Sequence, residues 1–179
     1  NEIEANFNFK DPSVHLPKLV EAYNLVTKLE DKHWRELKKQ ELESIILASA
    51  GLFLEGISSE QSTNPGGEFT LRIEALNRSN QDIELTGIEF LNNPKSGLTA
   101  GKKLEKNKPF KMEKVLKVNE NTAFTSPYWL NEKGTLGMYA VNDPNLIGKP
   151  DSEKLKLQWN LKICGQPFEF YREIAYKYS

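Results

Sequence analysis

The sequence predicts a mainly β chain: an antiparallel, immunoglobulin-like β-sandwich of about seven strands, preceded by an N-terminal helical hairpin. Three observations predict it. Apolar residues recur at a helical period between residues 16 and 50, the period falls from 3.6 to 2 after Gly51, and apolar and polar residues alternate without fault from Leu155 to Ile163. The implied division is 1–51 for the N-terminal segment and hairpin and 52–179 for the sandwich.

In the first helical stretch Leu16, Leu19, Val20, Tyr23 and Val26 share a face, and Pro17 suits a first turn, where its missing N–H costs nothing. Trp34, Leu37, Ile45, Ile46 and Ala48 make a second apolar face, and Gly51 suits the left-handed position after a last turn. One unbroken helix over this range would be about 50 Å long at 1.5 Å per residue. Asp31 is placed to cap a new helix three residues before Trp34, so two helices are expected.

Beyond Gly51, "LFLEGI" (52–57) reads as a first strand, and "EFTLRIEAL" as a second with Phe69, Leu71, Ile73 and Ala75 inward. In "IELTGIEFL" the apolar set slips from Ile83 and Leu85 to Ile88 and Phe90 across Gly87, the mark of a bulge. "FKMEKVLKV" (110–118) and "GMYAV" (137–141) read as shorter, less regular strands. The last pair is the strongest. Leu155, Leu157, Trp159, Leu161 and Ile163 line one face of the first strand, and Phe168, Phe170, Ile174, Tyr176 and Tyr178 one face of the second, with Cys164-Gly165-Gln166 between them as a hairpin link. Stretches 58–67, 92–109 and 142–153, rich in Pro, Gly, Asn and Ser, are expected loops. The Cys…Trp…Cys framework of antibody domains is absent, so the likeness is one of architecture.

A length of 179 residues suffices for a core without staples, and the lone Cys164 forms no internal bridge; in an alternating pattern with no basic cluster nearby it reads as a small apolar residue. Net charge is −1 with 27% charged residues, and the lysines are scattered rather than banked, which argues against nucleic acid as the main partner. No apolar run approaches the roughly 20 residues of a membrane span. The opening "NEIEANFNFK" lacks the basic and apolar regions of a leader, as expected of a mature terminus or of a piece of a longer chain.

Catalysis needs convergent titratable groups, and few are in view. His15 and His33 belong to no metal-ligand spacing and read as solvated or capping residues. There is no GxSxG, Walker loop or CxxC, and "NPGG" precedes a strand rather than a helix, so no helix N-terminus waits there for a phosphate. No catalytic residue, metal site or cofactor is expected. What stands out is Ser126-Pro127-Tyr128-Trp129. Pro127 fixes its own φ and holds Ser126 extended, so the two rings are presented stiffly. They suit a stacking platform for sugar rings, or equally packing under the sandwich edge.

The order of motifs "LPKLVEAYNLV…LEDKHWRELKKQELESIILASAGLFLEG", "NPGGEFTLRIEALNRSN" and "SPYWLNEKGTLGMYAVNDPNLIGKP" resembles the C-terminal portion of long PIG-L (LmbE-like) deacetylases of Bacteroidetes-type bacteria. The resemblance covers almost the whole chain. It implies a parent whose separate N-terminal domain is a zinc-dependent de-N-acetylase acting on N-acetylglucosamine-type groups and carrying a His-Pro-Asp-Asp motif. Neither histidine here carries that motif: Leu-Pro-Lys follows His15 and Trp-Arg-Glu follows His33. The implied role is a non-catalytic accessory domain whose partners are the parent's catalytic domain and a glycan, in the periplasm or outside the cell. The alternative is a carbohydrate-binding module that uses an exposed Tyr128-Trp129 loop.

Overall fold

Asp31 decides where the helical region breaks. Its carboxylate accepts the Trp34 N–H at 3.0 Å, which satisfies one of the donors a helix start leaves free. The structure, a computed structural model, describes residues 2–93, 97–149 and 155–178. A short helix α1 (Glu2–Ala5) is followed by α2 (Leu16–Val26) and α3 (Lys32–Ala50). Gly51 ends α3 at φ +56°; its N–H reaches Ala48 O and the Leu52 N–H reaches Leu47 O, the paired bonds of a Schellman cap. A Cβ on Gly51 would lie 3.0 Å from Arg78 Cβ, a second reason for glycine there.

Strands follow as β1 (Phe53–Ser58), β2 (Glu68–Leu76), β3 (Ile83–Phe90), β4 (Leu98–Lys103), β5 (Phe110–Lys117), β6 (Lys156–Ile163), β7 (Gln166–Glu173) and β8 (Ala175–Tyr176). They form two four-stranded sheets, ordered β5-β2-β1-β8 and β4-β3-β6-β7. The sheets face each other across one core: Phe69 of β2 meets Phe90 of β3 edge to face at 6.1 Å, and Gly56 of β1 sits under Leu157 of β6. Leu16, Leu19, Val20, Tyr23, Ile46 and Ala50 join the same core, with Tyr23 packed on Phe168 of β7 at 4.7 Å. Burial and the Glu43 carboxylate, to which the Tyr23 hydroxyl donates at 3.1 Å, both push that phenol's pKa up.

Several expectations hold residue by residue. Phe69, Leu71, Ile73 and Ala75 are buried, as are Leu157, Trp159, Leu161, Ile163, Phe168 and Phe170, while Leu155 is half-buried. The β3 register shifts between Leu85 and Gly87 against both of its neighbours, so the bulge is real.

Others need correction. The sheets are not wholly antiparallel, because β8 runs parallel to β1; the described residues hold eight strands where about seven were expected. Strand β4 lies inside the expected 92–109 loop; it is an edge strand beside β3, and its sequence LTAGKK carries one large apolar residue, Leu98, so no alternation could be read. Residues 137–141 form no strand: Thr135 and Met138 make one isolated bridge. Part of the 142–153 loop holds a 3₁₀ turn at Pro144–Leu146, and residues 150–154 lie outside the described residues. Tyr176 and Tyr178 are exposed, because β8 leaves the alternation of β7 after Ile174 and joins the other sheet.

Cys164 is half-buried in the hairpin turn rather than in a strand, at φ +48° beside Gly165 at +85°, as a two-residue turn with both centres left-handed requires. Burial raises its thiol pKa, which fits an inert sulfur. His15 is not solvated; it stands at the N-cap position of α2 but makes no side-chain cap bond. It is buried, its Nε2 accepts the Asn8 N–H at 3.1 Å, and its ring stacks on Phe7, so it pins the N-terminal segment to α2.

Asn77 joins two loops at the end of the sheets. Buried, it donates from Nδ2 to Leu104 O at 2.9 Å and Gln81 O at 3.4 Å, and its Oδ1 accepts the Ser79 N–H and hydroxyl at 2.8 and 2.7 Å. Asn77→Ala strands buried donors and acceptors on both sides, each worth about 1–3 kcal/mol. We expect a chemical-denaturation loss of about 2–4 kcal/mol on that basis; a loss inside about 0.5 kcal/mol, the ordinary range for a surface change, would mean that water replaces the amide freely.

Candidate functional site

The Ser126–Trp129 motif stands in the long connection from β5 to β6. The chain leaves the sheet at Val118, which is buried and bonded to Gly67 O and the Gly66 N–H, and then turns at Asn119, whose side chain accepts the Asn121 N–H at 2.9 Å. Pro127 is extended at φ −56°, ψ 140°, and feeds a single 3₁₀ turn, Tyr128–Leu130, closed by Leu130 N–H to Pro127 O at 2.9 Å. The Ser126 hydroxyl donates to Asn131 Oδ1 and ties the two ends of that turn. Ser126, Pro127, Tyr128 and Trp129 are brought together here, and all four are half-buried. The rings meet edge to face, 5.0 Å apart at 87°.

The rest of the connection is a chain of tight turns. Thr135 and Met138 exchange two backbone bonds around Leu136-Gly137, with Gly137 at φ +83°, and a Cβ on Gly134 would lie 2.7 Å from Met138 O. Asn142 donates to Glu132 at 2.9 Å, and Asp143 accepts the Asn145 N–H at 3.0 Å. Phe124, Leu130, Leu136, Met138, Tyr139 and Ile147 all point outward, with Leu136 fully exposed at the tip of its turn. Glu132 and Asp143 balance Lys133 and Lys149, so residues 121–149 carry no net charge. These six apolar side chains were missed in the sequence. The available signal was large apolar residues in a stretch with neither a period of 2 nor of 3.6 to bury them.

A separate depression of about 340 Å³ lies on the outer side of β1, β2 and β5, and none of the four motif residues lines it. Its charges compensate one another: Arg72 pairs with Glu113 at 3.0 Å, and Lys111 with Glu74 at 3.5 Å. Exposed pairs of this kind contribute little to stability. His33 is exposed beside the Trp34 ring. Among the described residues, no group of three His, Cys, Asp or Glu side chains is placed to hold a metal ion, and no helix is long and apolar enough to cross a membrane.

No protein-family model matches the chain, and no curated protein matches it. Among solved structures it is similar to a Pseudomonas fluorescens alkylpurine DNA glycosylase, AlkC, bound to DNA containing an abasic site analog. That likeness has a TM-score of 0.30 at 8% identity, covering 96% of this chain and 49% of the glycosylase, so the chain spans about half its length. An overlap this loose carries no functional argument.

Proposed function

We propose that the chain is a non-catalytic accessory domain of a multidomain PIG-L-like deacetylase, docked on the parent's catalytic domain through the β5–β6 connection. The observation that carries this reading is the row of exposed apolar side chains over 121–149, on a segment without net charge. So many large apolar side chains held in water on one connection are unusual for a free surface, and exposed apolar surface of this kind marks interaction sites. On this reading the two sheets are an immunoglobulin-like sandwich, the 1–51 hairpin braces the 52–179 body, and the parent works in the periplasm or outside the cell, as the motif resemblance implies.

The perpendicular, half-buried rings of Tyr128 and Trp129 weigh against the alternative of a carbohydrate-binding module. A sugar face needs a flat, open ring surface, and each of these rings turns its edge or its face to the other. The exposed aliphatic groups beside them suit a protein surface better than a glycan.

The test is a Tyr128→Ala, Trp129→Ala double variant made in the isolated chain and in the full-length parent. In the isolated chain the loss should stay under about 1 kcal/mol, the scale of one aromatic pair, while domain association or activity falls in the parent. A loss of several kcal/mol in the isolated chain would make the rings core and remove the site.

A further inference from the structure

Helix α3 carries an apolar face that the chain does not cover. Ile46 and Ala50 on one side enter the core, whereas Trp34, Leu37 and Ile45 on the other are 52%, 37% and 47% exposed. Ala48 is exposed on that same side, so four of the five residues that make α3 look amphipathic lie in solvent. Two charged residues sit among them and are already arranged: Lys38 Nζ is 2.8 Å from Glu41 and lies over the Trp34 ring, 5.9 Å from its centre.

We propose that this face is the contact between two copies of the chain, with their α3 helices antiparallel across a twofold axis at Glu41. In such a pair, residues equally far from Glu41 on either side face each other. Trp34 then meets Ala48, Leu37 meets Ile45, and Lys38 meets Ser44. The largest side chain falls opposite the smallest, and the branched aliphatic residues fall opposite each other, as interdigitating helices require. At the axis two Glu41 carboxylates and two Lys38 ammonium groups alternate in sign, so each carboxylate lies between its own lysine and that of the other copy. A partner with a purely apolar face would instead strip water from Glu41 and Lys38 without new compensation. The self-match of both volume and charge selects a second copy as the occupant. This contact is independent of the β5–β6 connection and of the reading given to it.

Sedimentation velocity of the intact chain at about 100 µM, where a dimer of micromolar Kd is well populated, should show a dimer. Ile45→Glu should return it to monomer, and at a concentration well below the dimer Kd its thermal unfolding should match that of the parent sequence, because the side chain is exposed in the single chain. The geometry is tested by cysteines in a Cys164→Ser background. Glu41→Cys sits on the axis, within the short Cα separation a disulfide needs, and should give a cross-linked dimer on mild oxidation. Leu37→Cys alone should not, whereas Leu37→Cys chains mixed with Ile45→Cys chains should cross-link between the two. A monomer at that concentration, an Ile45→Glu dimer as tight as the parent sequence, or equal cross-linking through Ala48→Cys alone would overturn the proposal.

Discussion

Leu157→Ala is expected to lower the stability of the chain by about 2–5 kcal/mol, the range for removing a leucine from a packed interior. Leu157 is 1% exposed, and its Cδ1 lies only 2.5 Å from where a Cβ on Gly56 would stand. The leucine from one sheet therefore occupies the space that glycine leaves in the other. This makes a second, linked expectation. Gly56→Ala alone overpacks the site at a cost of about 1–3 kcal/mol, but in the Leu157→Ala background the new methyl enters vacated space and its penalty should shrink or change sign. Denaturant titration of the four proteins yields the coupling, expected at about 1–3 kcal/mol for groups in contact. A loss below about 0.5 kcal/mol for Leu157→Ala would mean that β6 faces the other way.

Trp159→Ala is the other large effect, about 3–5 kcal/mol, because the largest fully buried side chain among the described residues is removed from the middle of β6. Trp159→Phe separates two contributions. The indole N–H is buried without a hydrogen-bond partner among the described residues, a state that costs about 1–3 kcal/mol. Phenylalanine keeps most of the ring contact and deletes that donor, so its net loss should fall below about 2 kcal/mol, with the cavity and polar contributions opposed. If Phe costs as much as Ala, the N–H is satisfied and the opposition is absent.

The parts of the fold that could be read in advance are those in which a side-chain period reports burial. Phe69 to Ala75 and Leu157 to Ile163 alternate because one face of each strand meets the opposing sheet. Asp31 and Gly51 could be read because helix ends have few chemical solutions. Strand β4 could not, since LTAGKK on an edge has one large apolar residue and no period to report burial. The α3 face misled for the opposite reason: Trp34, Leu37 and Ile45 follow a helical period, but it is Leu42, Ile46, Leu47 and Ala50 that turn to the core. At the candidate site, the oddity of Ser126-Pro127-Tyr128-Trp129 was visible. The perpendicular setting of its rings was not, since ring angles come from packing and no local rule fixes them.

The parallel pairing of β8 with β1 also governs the order in which this chain can be made. Ile57 of β1 pairs with Ala175, a partner roughly 120 positions later, and β3 likewise waits for β6. The α2–α3 pair and the β6–β7 hairpin close over short loops and form early, while both sheets stay incomplete until the C-terminal strands emerge from the ribosome. During that interval the Ile57–Ser58 end of β1, the part that β8 covers, offers a free backbone edge, the kind of template on which two nascent chains can pair wrongly. The pairings that complete both sheets are therefore the long-range ones, the kind of closure that is intrinsically slow.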